Sequence, residues 1–275
     1  MIKEKLKSLF LEEHITSVSH LPFSLCRVTN ARLYEKHDFH PQSVILFLIP
    51  YFAADPDNFS AYAAAEDYHF YVEQLCTRMQ EKLRALYPTG DFLGFADHSP
   101  IDERDAAVRA GLGVYGKNRL LLSAEHGSYQ FIGEFLSSLP AEAFGEVTTV
   151  PFTLCIGCNA CLSACPTGIL RGESTDCLSA ITQKKGELSE EEQALMRRVG
   201  TVWGCDECQK VCPYTREALY RGTAKTEIPF FKENLITHLD TKTIEEMPDE
   251  LFARRAFAWR GRNTVLRNAK IIEEK

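Results

Sequence analysis

Eight of the ten cysteines in this chain lie between positions 155 and 212, and their spacing constrains the fold more than any other feature of the sequence. The first run reads Cys155-Ile-Gly-Cys158-Asn-Ala-Cys161-Leu-Ser-Ala-Cys165-Pro166, which is the spacing of bacterial ferredoxins. Such short loops bring three thiolates onto one [4Fe-4S] cluster and direct the fourth cysteine to a second cluster. The chain is therefore predicted to bind two [4Fe-4S] clusters.

A second cysteine run supplies most of the remaining ligands. It reads Cys205-Asp-Glu-Cys208-Gln-Lys-Val-Cys212-Pro213, and Val202 stands where a full run would have its first cysteine. The isolated Cys177 is the obvious substitute. The predicted ligand sets are Cys155, Cys158, Cys161 and Cys212 for one cluster, and Cys165, Cys177, Cys205 and Cys208 for the other. Zinc also takes four thiolates, but two Cys-Pro endings with crossed spacing favour iron–sulfur clusters.

The rest of the composition is that of an ordinary globular protein. Of 275 residues, 45% are hydrophobic and 25% charged, which suggests one large domain or two modest ones. The apolar run from Val44 to Pro50 is too short to span a membrane, and the first residues lack an apolar signal region. We therefore expect a cytoplasmic protein whose cysteines bind metal instead of forming disulfides. Cys26 and Cys76 lie in apolar or helical contexts and are predicted to be buried without a ligand role.

Hydrophobic patterning predicts the secondary structure before the cysteines. Unbroken or alternating apolar runs predict strands at 43–51, 91–97 and 128–136, and helical periodicity predicts that 57–86 is mostly helix. Ser99-Pro100 is typical of a helix start, with the Ser99 hydroxyl as cap, so that Asp97 lies between a strand and a helix. The small residues at 140–151 are typical of a linker.

These elements predict a mixed fold in three parts. An amino-terminal α/β domain covers residues 1–145, a ferredoxin-like domain with both clusters covers 146–220, and a helical tail covers 221–275. The overall class is α+β/α/β.

The 154 residues before the first cysteine ligand need a role that a simple electron carrier does not have. Their densest candidate site is Arg109-Ala-Gly111-Leu-Gly113-Val-Tyr-Gly116-Lys117-Asn118, in which three glycines would let the backbone approach a ligand closely. The spacing differs from a dinucleotide fingerprint and is equally compatible with a plain turn. Taken singly, Asp97 is typical of a cap or a surface charge, and His69 of a helix face.

Several motifs, taken together and in order, resemble the epoxyqueuosine reductase family over about 41–268. The resemblance rests on separate short segments, of which any one alone would be weak. They are Tyr62-Ala63, Asp67-Tyr68-His69, Asp97-His-Ser99-Pro100-Ile-Asp-Glu103, the glycine-rich segment 109–118, Gly133-Glu134, Cys177-Leu-Ser179, Trp203-Gly204-Cys205-Asp206 and the two cysteine runs. The cobalamin-dependent reductive dehalogenases are related to this family.

The resemblance implies a cobalamin held between the amino-terminal and ferredoxin domains, and a reaction on tRNA. Electrons would pass from the clusters to cobalt and then to the epoxide of the modified base, whose oxygen leaves as water. Asp97 matches the family's general acid. An ordinary aspartate is ionised at neutral pH, so this role requires burial beside the cofactor. The residues that the resemblance places along the cobalamin are Gly111, Gly113, Gly116, Lys117, Asn118 and Ser179.

The resemblance also implies partners and leaves alternatives open. The partners are tRNA and an electron donor such as ferredoxin or flavodoxin. The family usually continues into a helical-repeat domain, of which this sequence reaches only the first helix. The basic segment 254–270, with Phe257 and Trp259, could bind phosphates and stack on bases or be a solvated helix, and the net charge of −7 gives no general attraction to nucleic acid. The other candidate functions are a cobalamin-dependent reductase of a small molecule and a ferredoxin-type electron carrier.

Overall fold

A computed structural model describes residues 2–274 of the chain. The strands are β1 (Val18–Pro22), β2 (Ser43–Pro50), β3 (Phe92–Ala96), β4 (Val114–Tyr115), β5 (Leu121–Leu122) and β6 (Gln130–Ser137). The helices are α1 (Ile2–Leu11), α2 (Arg32–Glu35), α3 (Tyr68–Leu86), α4 (Glu103–Arg109), α5 (Ala160–Ala164), α6 (Leu178–Thr182), α7 (Glu190–Val199), α8 (Glu207–Lys210), α9 (Pro213–Arg221), α10 (Thr241–Glu246), α11 (Asp249–Ala253) and α12 (Arg262–Glu273). No helix within this described range is long and apolar enough to cross a membrane.

A four-stranded sheet in the order β1-β2-β6-β3 forms the centre of the amino-terminal part. Every neighbouring pair is antiparallel. The sheet is therefore part of an α+β arrangement, and the α/β description of this domain is wrong, although mixed helix and sheet is confirmed. Gly133 of β6 lies opposite Phe47 of β2, and a Cβ at Gly133 would come within 2.3 Å of that ring. Glycine at this position lets the two central strands pair beside a large aromatic side chain.

Both faces of the sheet are covered, which explains why β2 is buried along its whole length. On one face, Phe47 and Phe135 pack with α1 and with α3. On the other face, Leu46 and Leu136 pack with the alanine-rich helix α4. A strand between two apolar layers reads as an unbroken apolar run, as β2 does. The three strands predicted at 43–51, 91–97 and 128–136 are confirmed as β2, β3 and β6. Cys76 packs against the first layer and Cys26 against the second, as predicted, and burial raises the pKa of both thiols to about 12.

The predicted helix over 57–86 begins later than expected, at Tyr68. Its actual N-cap is Asp67, whose carboxylate accepts a hydrogen bond from the backbone N–H of His69. The preceding residues bind distant parts of the chain instead. The Asn58 amide contacts the backbone of Leu239, and the N–H of Ala61 donates to the Asp206 carboxylate. These long-range contacts override the local periodicity.

Two smaller sequence expectations were also wrong. Helix α4 begins at Glu103 with Asp102 as its cap, while the Ser99 hydroxyl hydrogen bonds to the carbonyl of Ile101 and to Glu134. The expected linker at 140–151 contains a 3-10 turn, Ala141–Phe144, whose Phe144 ring is fully buried. Ring packing against His20, Tyr87 and Phe92 fixes this turn under the sheet.

The carboxy-terminal helices pack on the cysteine-rich region and on the loop before α3. Trp203, Phe257 and Val265 are fully buried in one apolar cluster together with Phe59 and Ala63 from that loop. The Asn268 side chain donates hydrogen bonds to the carbonyls of Thr182 and Val202. These contacts hold together the loop before α3, the cysteine-rich region and the carboxy-terminal helices.

Candidate functional site

Two cavities in the cysteine-rich region collect four cysteines each. One is lined by Cys155, Cys158, Cys161 and Cys212, and the other by Cys165, Cys177, Cys205 and Cys208. This grouping matches the crossed ligand sets that the sequence spacing predicts. Each cavity offers four thiols, which is the donor set of a [4Fe-4S] cluster.

The missing cysteine at position 202 has a structural explanation. Val202 is fully buried in the apolar cluster of the tail, and its N–H donates to the carbonyl of Asn58 at 2.7 Å. A polar thiolate at this position would face that apolar core. Cys177 instead lies at the start of α6, where it is the N-cap residue and lines the second cavity.

The glycine-rich segment lies beside the cysteine cavities. Lys117 lines the first cavity, and its Nζ donates to Asn159 Oδ1 at 2.6 Å. Asn118 is buried and lines both cavities. Gly113 and Gly116 allow a tight turn, since a Cβ on either would come within 2.5 Å of an oxygen atom. Gly111, with a φ of 76°, ends the turn after α4.

A third cavity of about 670 Å³ lies between the sheet, α6 and the tail. Its volume falls within the range of small-molecule and cofactor sites. It is lined by Tyr62, Asp67, Tyr68, His69, Asp97, Phe131, Ser179, Gln183, Ala256 and Trp259. Of the predicted site residues, Asp97 and Ser179 meet here. Ser179 follows Cys177 by two positions, so this cavity is close to the second set of cysteines.

Asp97 lies at the end of β3 in a left-handed conformation, with φ 63°. Aspartate tolerates this region better than most residues, and the conformation separates the strand from the turn that precedes α4. Its carboxylate is 65% exposed and lies 3.6 Å from His69 Nε2. The His69 ring is oriented by Asp67, whose carboxylate lies 2.7 Å from Nδ1, and the Tyr68 hydroxyl also hydrogen bonds to Asp97. The expectation that Asp97 is the general acid stays a prediction.

Two further carboxyl groups lie behind Asp97. Glu103 accepts a hydrogen bond from the Asp97 backbone N–H, and burial, followed by the nearby Asp97 charge, raises the pKa of Glu103 to about 7. Glu134 is 1% exposed in the centre of β6 and accepts a hydrogen bond from Ser99 at 2.5 Å. Burial raises the pKa of Glu134 to about 8. At neutral pH a protonated Glu134 avoids the cost of a buried charge.

Because Glu134 keeps its proton in the folded protein to a higher pH than its ordinary value of 4.5, unfolding should release a proton between these values. Rising pH should therefore destabilise the fold from about pH 4.5 up to about pH 8, by at most about 1.4 kcal/mol per pH unit. Glu134→Gln keeps a hydrogen-bonding partner for Ser99 but cannot ionise. We expect the melting temperature of the parent to fall relative to this variant as the pH rises through that window. If the melting temperatures of the parent and the variant changed with pH in the same way, the pH dependence of stability would come from a group other than Glu134.

The basic segment of the tail differs from the sequence expectation. Phe257 is fully buried and Arg255 nearly so, so neither can contact a ligand. Arg262 pairs with Asp249, and Arg267 donates to backbone carbonyls at Lys184 and Gly186. These arginines stabilise the tail.

Trp259 is 59% exposed at the edge of the large cavity. The Arg260 guanidinium lies 3.8 Å from its ring centroid. From the segment 254–270, Trp259 and Ala256 line the cavity.

Sequence reasoning missed much of the cavity wall. His69 is on the first turn of α3, as expected for a helix-face residue, yet it also faces Asp97. Phe131 stacks on Tyr68 with ring centroids 4.0 Å apart. The only signal for these residues was the Asp67-Tyr68-His69 motif, because Phe131 is indistinguishable in sequence from a core position.

The cysteine-rich region and most of the chain are similar to known proteins. Residues 154–215 match the family described as 4Fe-4S double cluster binding domain. An epoxyqueuosine reductase from Leadbetterella byssophila is 30% identical over 245 residues, which cover 85% of this chain and 78% of the relative. One from Listeria monocytogenes is 32% identical over 214 residues, which cover 75% of this chain and 54% of the relative.

A solved structure described as epoxyqueuosine reductase with a tRNA-Tyr epoxyqueuosine-modified tRNA stem loop shares the fold. Its TM-score is 0.72 at 20% identity, with 99% of this chain and 81% of that chain covered. The chain spans about half the length of some curated relatives that it matches.

Proposed function

The chain belongs to the epoxyqueuosine reductase family, and from this relationship we propose that it removes the epoxide oxygen of epoxyqueuosine in tRNA to give queuosine. The observation that carries the proposal is the large cavity, in which Asp97 faces the space between the sheet domain and the cysteine-rich region. The proposed units are the domain 1–145, which binds the cofactor and substrate, the double-cluster domain 146–220 and the helical tail 221–275. We place the reaction in the cytoplasm.

We assign the two cysteine cavities to two [4Fe-4S] clusters with the crossed ligand sets. The thiol donors and the double-cluster match at 154–215 support this assignment. Cys158 is exposed, whereas Cys165 and Cys212 are buried. An electron donor such as ferredoxin or flavodoxin would therefore approach on the side of Cys158.

The large cavity is proposed to hold cobalamin. A volume of about 670 Å³, an aromatic wall of Tyr68 and Phe131, and polar groups of Asp97, Ser179 and Gln183 support binding of the corrin ring in this cavity. Ser179 and Gln183 of the α6 segment would contact it. Contacts from Gly111, Gly113, Gly116, Lys117 and Asn118 stay a prediction. When bound, cobalamin and the clusters would supply the two electrons of the reduction.

The protein's own contribution is to orient the substrate and to deliver a proton. Removing the epoxide oxygen as water consumes two protons and two electrons. Asp97 would donate a proton to the leaving oxygen, since it faces the cavity and hydrogen bonds to Tyr68. His69, held by Asp67, fixes one side of the Asp97 carboxylate. A bound cofactor and nucleotide would exclude water from this exposed carboxylate.

The tRNA contact is proposed at Trp259 and Arg260. A base beside the modified nucleotide would stack on the exposed indole, and stacking of this kind contributes about 1–3 kcal/mol per base. Trp259→Ala should therefore weaken tRNA binding by roughly 5-fold to 150-fold. Arg260→Gln should make the salt dependence of binding shallower by about one charge.

Binding should be measured at two salt concentrations, with iron content as a check on folding. Tyr220→Ala is the matched control, because Tyr220 is 89% exposed but does not line the cavity. Equal losses in the Trp259 and Tyr220 variants would place the tRNA elsewhere.

The proposed function is tested by purifying the protein without oxygen, identifying the bound corrinoid and incubating the reduced protein with tRNA that carries epoxyqueuosine. We expect queuosine among the nucleosides after digestion. A protein that retains corrinoid and clusters but leaves this tRNA unchanged would contradict the proposal and favour reduction of a small molecule. A protein with clusters but no affinity for corrinoid would favour an electron carrier.

A further inference from the structure

A second, smaller cavity lies next to the large one and shares Tyr68, Asp97 and Phe131 with it. Its volume is about 120 Å³, which is room for a few water molecules, each of which occupies about 30 Å³ in the liquid. Its wall is polar on one side, where Glu103, Arg104 and Gln130 lie. Asp97 is therefore placed between the large cavity and a small polar chamber.

Glu103 lines this chamber and has one buried carboxyl oxygen without a protein partner. Its Oε2 has no hydrogen-bond partner among the described residues, whereas the carboxyl group receives the backbone N–H of Asp97. The neighbouring Arg104 guanidinium donates to the Arg119 carbonyl, and its charge lowers the pKa of Glu103 less than burial raises it. A buried polar atom without a partner is costly unless water or a proton satisfies it.

The surroundings of Glu103 favour a neutral carboxyl group over an ion pair. Asp97 faces it from the end of β3, Tyr68 from α3 and Glu134 from β6, and its own segment contributes Asp102 and Arg104. The thiols of Cys26 and Cys76, on opposite faces of the sheet, also lie near Glu134. Arg104 is thus the one cation in this set of groups, against three other carboxyl groups.

We propose that Glu103 is a positioning residue that holds a proton in the smaller cavity and returns it to Asp97 after each turnover. This inference rests on the proposed function. The Asp97 carboxylic acid gives its proton to the leaving oxygen and becomes a carboxylate. The Glu103 carboxylic acid then passes its proton through water in the chamber to Asp97, and the Glu103 carboxylate takes up a proton from solvent. No electron moves in this exchange.

The exchange is favoured by the charge on Asp97 itself. When Asp97 is ionised, its negative charge holds the proton on Glu103 more tightly. Burial and this charge raise the pKa of Glu103 to about 7, so the reserve is filled below that pH and is lost above it. Of these two carboxyl groups, only Asp97 lines the large cavity. A bound substrate would close that cavity to solvent.

The test compares Glu103→Gln, Glu103→Asp and the parent, all loaded with clusters and cobalamin. Glu103→Gln should lower turnover on the order of 10-fold, and small weak acids added to the buffer should restore part of it. Glu103→Asp should retain more activity than the glutamine variant. The parent should lose activity as the pH rises through about 7, and Glu103→Gln should lack this step. Glu142→Gln, at an exposed position on a distant turn, is the control and should leave the profile unchanged.

A second readout does not depend on turnover. Infrared titration of the resting holoprotein should show a carboxylic acid band that disappears near pH 7 in the parent and is missing in Glu103→Gln. An active parent whose pH profile and band are both unchanged in Glu103→Gln would overturn the inference and leave the proposed function intact. A parent that binds its cofactors but does not reduce epoxyqueuosine would overturn the proposed function first, and the proton transfer to the leaving oxygen with it.

Discussion

Asp97→Asn should lower the rate of epoxyqueuosine reduction on the order of 10²-fold or more, because an amide cannot deliver the proton that the leaving oxygen requires. The substitution changes little else. Asparagine has nearly the same shape and also tolerates the left-handed φ of 63° found here. The backbone N–H that donates to Glu103 is unaffected. Iron and corrinoid content should therefore stay at the level of the parent.

The matched control for this experiment is Asp91→Asn. Asp91 precedes β3 at its opposite end and is 71% exposed beside Arg84, so it shares the strand but not the cavity. Turnover should be measured by nucleoside analysis of the tRNA, with iron and corrinoid assays on the same samples. Full activity of Asp97→Asn would remove this residue from the mechanism. Loss of corrinoid in that variant alone would assign Asp97 to cofactor binding.

The central strands could be predicted from the sequence because their environment leaves a local signature. Strand β2 is covered on both faces, and such a strand needs an apolar side chain at every position. The segment 57–67 could not be predicted in this way. Its helical periodicity reflects apolar residues such as Phe59 and Ala63, which are buried against Trp203 and the tail in an irregular conformation. The partners lie more than a hundred residues away, so no local window contains them.

The grouping of eight cysteines around two cavities could be predicted for the same kind of reason. The ligands of a ferredoxin-type domain follow each other at short intervals, so the spacing itself describes the geometry. The wall of the large cavity is different, since it joins residues from Tyr62 to Trp259. Phe131 resembles an ordinary apolar position in sequence, and only the fold brings it and Trp259 to the same space as Asp97.

The basic segment shows where residue type misled the interpretation. Arg254, Arg262 and Arg267 resemble a phosphate-binding surface in sequence, but Glu66, Asp249 and the carbonyls of Lys184 and Gly186 already occupy them. Glu103 is the opposite case. It reads as a favourable charge in the first turn of a helix, whereas burial and the neighbouring Asp97 give it a raised pKa of about 7.

Cys177→Ala should disturb one cluster and leave the other intact. Each cysteine holds one iron, so loss of this thiol should remove between one iron and the whole of the cluster bound by Cys165, Cys205 and Cys208. Iron content should then fall by at most half. The electron paramagnetic resonance of the reduced protein should lose or change the signal of that cluster, while the signal of the cluster in the first cavity persists.

Cys76→Ala is the matched control. Cys76 is a half-buried residue of α3 that packs against the apolar core and lines neither cysteine cavity. It should retain all of the iron. The comparison separates ligation from packing, because both variants remove one thiol and leave a similar void. Two unaltered clusters in Cys177→Ala would mean that Cys177 is not the fourth ligand of the second cluster and that the crossed assignment is wrong. Loss of both clusters would mean that the two sets of ligands fold as one unit. The Cys155→Ala variant tests this, because it removes a ligand of the first cavity only. If the two cavities are filled independently, that variant should lose only the signal of the first cluster.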